Sequence, residues 1–354
     1  MIAIHQAVHA VISADLLIKK SWCRHPIHKP SLMLPKIQAA ATQFEHAEGD
    51  ITANLTKVRT LAESAAEDGT QILVCPECCL TGYWFLNKLP RERIAELAQL
   101  VPHGPAVQEL IAIARDTGVI VGAGLIEACE SKNFYNTYVV AQPDGTTTKH
   151  RKLHTFVNEH MSSGSEFTVF EALEGWKFGI LTCYDNNLIE NVRITALMGA
   201  DVIIAPHQTG GCRTHDLNIM GDIDQELWHN RTENPDIIEA EFKGDKGRGW
   251  LLRWLPARAH DNGVFYLFSN GVGIDGDEVR TGNAMIIDTF GRTLAETSVA
   301  DDATVTATLD PKLLDEPTGR RWITARRPEL YAPLTTPTGK EVDIFTARFA
   351  GKGG

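Results

Sequence analysis

An α/β layered fold is what this sequence predicts, on three observations. From Pro35 onward short apolar runs alternate with helix-periodic segments, the helical patterns close at or just before a glycine, and a Pro-Asp-Gly turn joins two strand-like runs in the middle. In order, 36–43 (KIQAAATQ) reads as strand, 51–68 as an amphipathic helix ending before Gly69, and 71–77 (QILVCPE) as strand. A helix over 105–117 stops at Gly118, and 119–127 (VIVGAGLIE) follows as strand. The stretch 134–152 (FYNTYVVAQPDGTTTKHRK) reads as a hairpin, because proline fixes φ and glycine accepts the left-handed turn position. Then come 176–183 (WKFGILTC), a helix over 187–199, 201–207 (DVIIAPH), and a long irregular polar insert from about 208 to 248. A helix over 249–262 ending at Gly263, the run 264–270 (VFYLFSN), strands near 283–288 and 303–309 and a Pro-rich tail complete the chain.

Residues 1–34 carry Lys19, Lys20, Arg24 and Lys29 against Asp15 alone, a sign opposite to the rest of the chain, so they read as an N-terminal extension. Residues 35–354 read as a single domain carrying the insert and the tail. At 354 residues, 43% hydrophobic and 22% charged, the chain can bury a large core. Its formal charge of -11 disfavours nucleic acid and anionic membranes, which it would repel at long range. A small molecule is the expected ligand. His5, Gln6, His9 and Asp15 interrupt the first apolar run, so no export signal is read there. The 7 cysteines are odd in number and scattered, which points to reduced thiols in a cytoplasm.

Four apolar runs end on a polar or reactive residue: Glu77, Cys183, His207 and Asn270. Ligands in α/β sheets sit beyond the carboxyl ends of strands, so such residues are expected to converge. Two motifs are decoys. Cys75 and Cys78 form C-x-x-C, but no second pair of ligands follows at metal-site spacing and the segment ends a strand where a redox pair would open a helix. The stretch 271–276 (GVGIDG) matches G-x-G-x-x-G but runs on into DEVRTGNAMIID, which reads as loop and strand, and no helix N-terminus is there to receive a pyrophosphate.

A thiol with a pKa near 8.5 needs a base or a nearby cation to act as a nucleophile. Glu77 at another strand end could serve as base, and Lys152 could lower the thiol pKa and hold an oxyanion. Three blocks carry these residues: 73–83 (LVCPECCLTGY), 149–154 (KHRKLH) and 179–193 (GILTCYDNNLIENVR). In that order and spacing they resemble the glutamate, lysine and cysteine blocks of the carbon-nitrogen hydrolases of the nitrilase superfamily. The resemblance covers roughly residues 36–310. It implies a catalytic triad of Glu77, Lys152 and Cys183, a four-layer α-β-β-α sandwich, homodimers or higher homo-oligomers, and no metal or organic cofactor. It further implies a second glutamate after the lysine, matched here by Glu159 with Glu166 as competitor.

Nitrilases proper have Trp-Glu after the cysteine, whereas this chain has Tyr184 and Asp185, which resembles the amide-hydrolysing branches. An amidase is the first expectation; an N-carbamoyl amino acid amidohydrolase or a nitrilase is the alternative. Tyr83 and Trp84, Tyr184, His207 and Gln208 are pocket candidates, while Arg193 and Arg213 are read as solvated. A non-catalytic scaffold would tolerate loss of a triad member, and all three are present. A thiol redox protein would depend on Cys75 and Cys78.

Overall fold

A computed structural model describes residues 34–213 and 219–349. The extension 1–34 therefore lies outside the described residues, except for Leu34. The strands are β1 (Ile37–Phe44), β2 (Ile72–Val74), β3 (Gln99–Leu100), β4 (Ile120–Ala128), β5 (Phe134–Ala141), β6 (Thr147–Arg151), β7 (Met161–Ser162) and β8 (Thr168–Ala172). They continue with β9 (Trp176–Ile180), β10 (Val202–His207), β11 (Phe265–Asp275), β12 (Glu278–Thr281), β13 (Met285–Ile287), β14 (Thr293–Glu296) and β15 (Ala303–Leu309).

Hydrogen bonding orders them β6-β5-β4-β2-β1-β11-β10-β9-β8, with β15 antiparallel to β1 and β13 antiparallel to β11. The two halves join through the short parallel pairing of Gln43 with Asn270 and Phe44 with Gly271. Strand alternation then builds the layers. Ala39, Ala41, Ile72, Val74, Ile120 and Val140 face Phe178, Val202, Ile204, Phe265 and Leu267 in one core between the halves. The intervening residues Ala40, Leu73, Val121 and Val139 point outward onto the helices Ile51–Glu67 and Pro105–Thr117. On the other half Ile203, Ala205, Tyr266 and Phe268 meet Val192, Leu255 and Ala259 of the helices Ile189–Leu197 and Leu255–Asn262. This is the α-β-β-α sandwich. Strands covered on both faces need near-continuous apolar runs, as these have. Each buried Val, Leu or Ile contributes about 1.5–3 kcal/mol of transfer free energy.

The first helix starts where the Asp50 side chain accepts the Ala53 backbone N–H at 2.9 Å. Two expectations need correction. The insert is not wholly irregular: it contains the helices Gln225–His229 and Pro235–Lys243, the second burying Ile238 and Phe242 at i,i+4 spacing. The helix expected over 249–262 is two, Arg248–Leu251 and Leu255–Asn262. Pro256 has no N–H to donate and fits the first turn of a new helix, which explains the break.

Candidate active site

Glu77 follows β2, Lys152 follows β6 and Cys183 follows β9, all at the carboxyl ends of their strands. The β2 turn fits closely against β4, because a Cβ on Gly124 would come within 2.2 Å of the Cys78 backbone nitrogen. Glycine there lets the Glu77 loop lie on the neighbouring strand. Cys183 takes a left-handed φ of 50° at the head of a short turn, Cys183–Asn186, a conformation an ordinary core cysteine has no need of.

These three side chains meet. Lys152 Nζ donates to Glu77 Oε1 at 2.7 Å, and Asn136 Nδ2 donates to the same oxygen at 2.6 Å. Glu77 Oε2 is buried and has no hydrogen-bond partner among the described residues. The Cys183 thiol lies close enough to the Glu77 carboxylate and the Gln208 backbone N–H for both to shift its titration. Burial first, and then the Glu77 charge, push its pKa up to about 12, against the opposing pull of Lys152. At neutral pH the resting group is therefore a neutral thiol beside a carboxylate. Burial alone would lower the Lys152 pKa, yet Cys183, once ionised at high pH, and the Glu77 carboxylate hold it well above its ordinary value. The buried ammonium also lies 4.8 Å from the Phe156 ring centroid and 5.4 Å from that of Tyr83.

The run 149–152 is not a solvated basic face. Strand alternation sends Lys149 and Arg151 to Glu127, at 2.6 and 2.7 Å, and turns His150 and Lys152 inward.

Cys183 opens onto a cavity of about 650 Å³ lined by Tyr83, Tyr184, Gln208, Trp254 and Arg280 among others. A small organic molecule fits such a volume. Gln208 Nε2 donates to the Glu77 backbone carbonyl at 2.9 Å, tying the cavity wall to the triad.

The profile of the family described as Carbon-nitrogen hydrolase matches residues 38–316. The chain belongs to the carbon-nitrogen hydrolase family. Among relatives, it is 30% identical to the 2-oxoglutaramate amidase of Bacillus subtilis over 260 residues, 72% of this chain and 83% of that one. It is 38% identical to a nitrilase of Pyrococcus abyssi over 156 residues, 43% of this chain and 58% of the relative's length. The crystal structure of an amidase from Nesterenkonia sp. shares the fold at a TM-score of 0.62 and 21% identity, covering 84% of this chain and 96% of that chain.

Two predicted residues of this carbon-nitrogen hydrolase stand apart from the cavity holding Cys183. Glu159 is exposed and lines a neighbouring cavity of about 850 Å³ with His160 and Arg213. His207 is buried behind the wall: its ring packs tilted against Phe268 with centroids 4.7 Å apart, Asn186 Nδ2 lies 3.2 Å from its Nε2, and burial with the Lys152 charge holds it neutral with a pKa of about 3. Arg213 pairs with Asp222 at 2.6 Å on the surface, and Arg193 donates to the Asp261 carbonyl at 2.9 Å.

Sequence reasoning missed Asp185. Its buried carboxylate accepts the Leu153 N–H at 3.0 Å, the His154 N–H at 2.9 Å and His154 Nδ1 at 2.7 Å, fastening the lysine loop to the cysteine turn. Burial would raise its pKa, but the nearby imidazoles of His150, 3.6 Å away, and of His154, hydrogen-bonded to it, outweigh that and hold the carboxyl far below the usual range. Asn136 was missed too; its place midway along a predicted strand gave no signal, whereas Asp185 stands two residues from the cysteine.

Proposed function

We propose that this enzyme is an amidase, converting a small carboxamide to a carboxylate and ammonia through a thioester on Cys183. The observation that carries this reading is the meeting of one carboxylate, one ammonium and one thiol at the floor of a cavity. Glu77 Oε1 is occupied by Lys152 and Asn136, which leaves Oε2 to take the thiol proton. Because the thiol is protonated at rest, proton transfer accompanies attack of sulfur on the amide carbon.

The carbonyl oxygen becomes an oxyanion held by the Lys152 ammonium and the Tyr184 backbone N–H. One such donor is worth about 3 kcal/mol of barrier. Protonated Glu77 then returns its proton to the leaving nitrogen as the C–N bond breaks, giving ammonia and the acyl thioester. Glu77 next deprotonates a water, whose oxygen attacks the thioester carbon; the thiolate leaves and is reprotonated. Asp185 and Asn136 serve as positioning residues for Lys152 and Glu77. Glu159 is the proposed aid to the hydrolytic water through the match of its place after Lys152, although in this conformation it faces the neighbouring cavity.

The reading includes assembly into a homo-oligomer, supported by the solvent-facing Ile189, Ile194, Leu197 and Met198 on and after the helix Ile189–Leu197. No helix among the described residues is long and apolar enough to cross a membrane.

The test is ammonia release from a panel of simple amides, nitriles and N-carbamoyl amino acids, with Cys183→Ala as control. Ammonia from amides, without carbon dioxide and absent in the variant, is the expected result. Turnover confined to N-carbamoyl compounds or to nitriles would replace the amidase assignment.

A further inference from the structure

The glycine-containing stretch 271–276 is the end of β11, which runs to Asp275, and the first residue of the turn that leads back as β12. This hairpin carries three charged residues inward: Asp275, Glu278 and Arg280, each at most 3% exposed. Arg280 Nε donates to Asp275 Oδ2 at 2.9 Å, and Nη1 pairs with Glu278 Oε2 at 2.8 Å and also contacts the Cys212 sulfur. Nη2 is buried and has no hydrogen-bond partner among the described residues. Arg280 and Glu278 line the same cavity as Cys183.

Two carboxylates bind the planar guanidinium on adjacent arms, so its orientation is fixed and the remaining arm is preset. A buried donor without an acceptor is unfavourable in the free enzyme and becomes favourable when a ligand brings an oxygen to it. The arginine also sits at substrate range from the chemistry. Its Cζ lies 5.9 Å from the Tyr83 ring centroid, and Lys152 Nζ lies 5.4 Å from the same centroid.

We propose that Arg280 is a specificity-determining residue: through Nη2 it binds an oxygen acceptor, carbonyl or carboxylate, at the far end of a short bifunctional amide whose near end reacts at Cys183. The proposal rests on the amidase reading and narrows its substrate class. A site built around such a donor discriminates against a substrate lacking the acceptor, because that substrate leaves the donor unpaired.

The experiment measures kcat and KM of the full-length enzyme for butyramide, succinamide and succinamate, which share a chain length and differ in the far group. Wild type is expected to favour succinamide or succinamate over butyramide by roughly tenfold to hundredfold in kcat/KM. Preference for succinamate identifies a carboxylate acceptor, and preference for succinamide a neutral carbonyl. Arg280→Gln should erase that preference mainly through KM, lowering kcat/KM for the favoured compound about tenfold or more and for butyramide less than threefold. Arg280→Lys, which keeps a donor, should recover part of it. Equal wild-type kcat/KM for all three compounds would overturn the proposal while leaving the amidase reading intact. So would a preference that survives in Arg280→Gln. Should Arg280→Gln lose butyramide turnover as well, the wild-type preference decides alone. No ammonia from any of the three in wild type would overturn the amidase reading, and this proposal with it.

Discussion

Replacing Asp185 with alanine probes how Lys152 is held. The carboxylate accepts two backbone N–H groups, from Leu153 and His154, and the His154 side chain. A buried donor stripped of its acceptor costs about 1–3 kcal/mol, and half-burial of Leu153 and His154 places each at the low end. The sum is about 2–4 kcal/mol of stability, which for a chain of this size is a fall in Tm of roughly 3–5 °C. The functional loss should be larger in proportion, because the freed loop carries Lys152, and misplacing a catalytic group by about 1 Å costs on the order of a hundredfold in rate. Differential scanning fluorimetry and steady-state ammonia release measure the two effects, and Asp185→Asn, which keeps one acceptor oxygen, should fall between. The pH dependence has a definite sign. The folded carboxyl titrates below its unfolded value, so its contribution is present above about pH 4 and lost as pH falls through the folded pKa. The Tm gap between wild type and Asp185→Ala should therefore hold from pH 8 down to about pH 4 and close only in stronger acid. A variant with wild-type Tm and kcat within threefold of wild type would refute this role for Asp185.

Other expectations are as specific. A Cβ at Gly271 would lie 1.9 Å from Gln208 Oε1, so Gly271→Ala should push Gln208 off the Glu77 carbonyl, costing about 1–3 kcal/mol of stability and at least tenfold in kcat/KM; wild-type kinetics would show that this contact does not matter. Cys75→Ser and Cys78→Ser should leave activity within a few fold, and a metal chelator should leave it unchanged, because no group of three or more metal-binding side chains occurs among the described residues. Loss of turnover in either condition would restore the redox or metal reading. Burial and Glu77 raise the Cys183 pKa, so the ultraviolet thiolate signal that distinguishes wild type from Cys183→Ala should stay absent at pH 8 and develop toward about pH 12. A thiolate already present at pH 7 would contradict proton transfer to Glu77 during attack.

Much of this architecture is legible in the sequence because local chemistry sets it. The helix expected over 105–117 is found at Pro105–Thr117, bounded by a proline suited to a first turn and by Gly118. The β2 and β10 runs are apolar without alternation, as strands covered on both faces must be. Other features depend on contacts distant in sequence. Nothing near Asn136 signals that it meets Glu77, 59 residues earlier. His207 ends an apolar run just as Cys183 does, yet tertiary packing against Phe268 turns it away from the cavity. Glu159 matches the family pattern by position along the chain, but its loop faces another cavity. The insert concealed its helices because its apolar residues are few, and only the i,i+4 pair Ile238 and Phe242 marks the second one.

The most direct measurement is capture of the acyl group. During butyramide turnover in the presence of hydroxylamine, wild type should form the hydroxamate, and acid-quenched peptides should carry the butyryl group on Cys183; Cys183→Ala should give neither. Ammonia release from wild type with no hydroxamate, or with the acyl group on a different residue, would contradict the account.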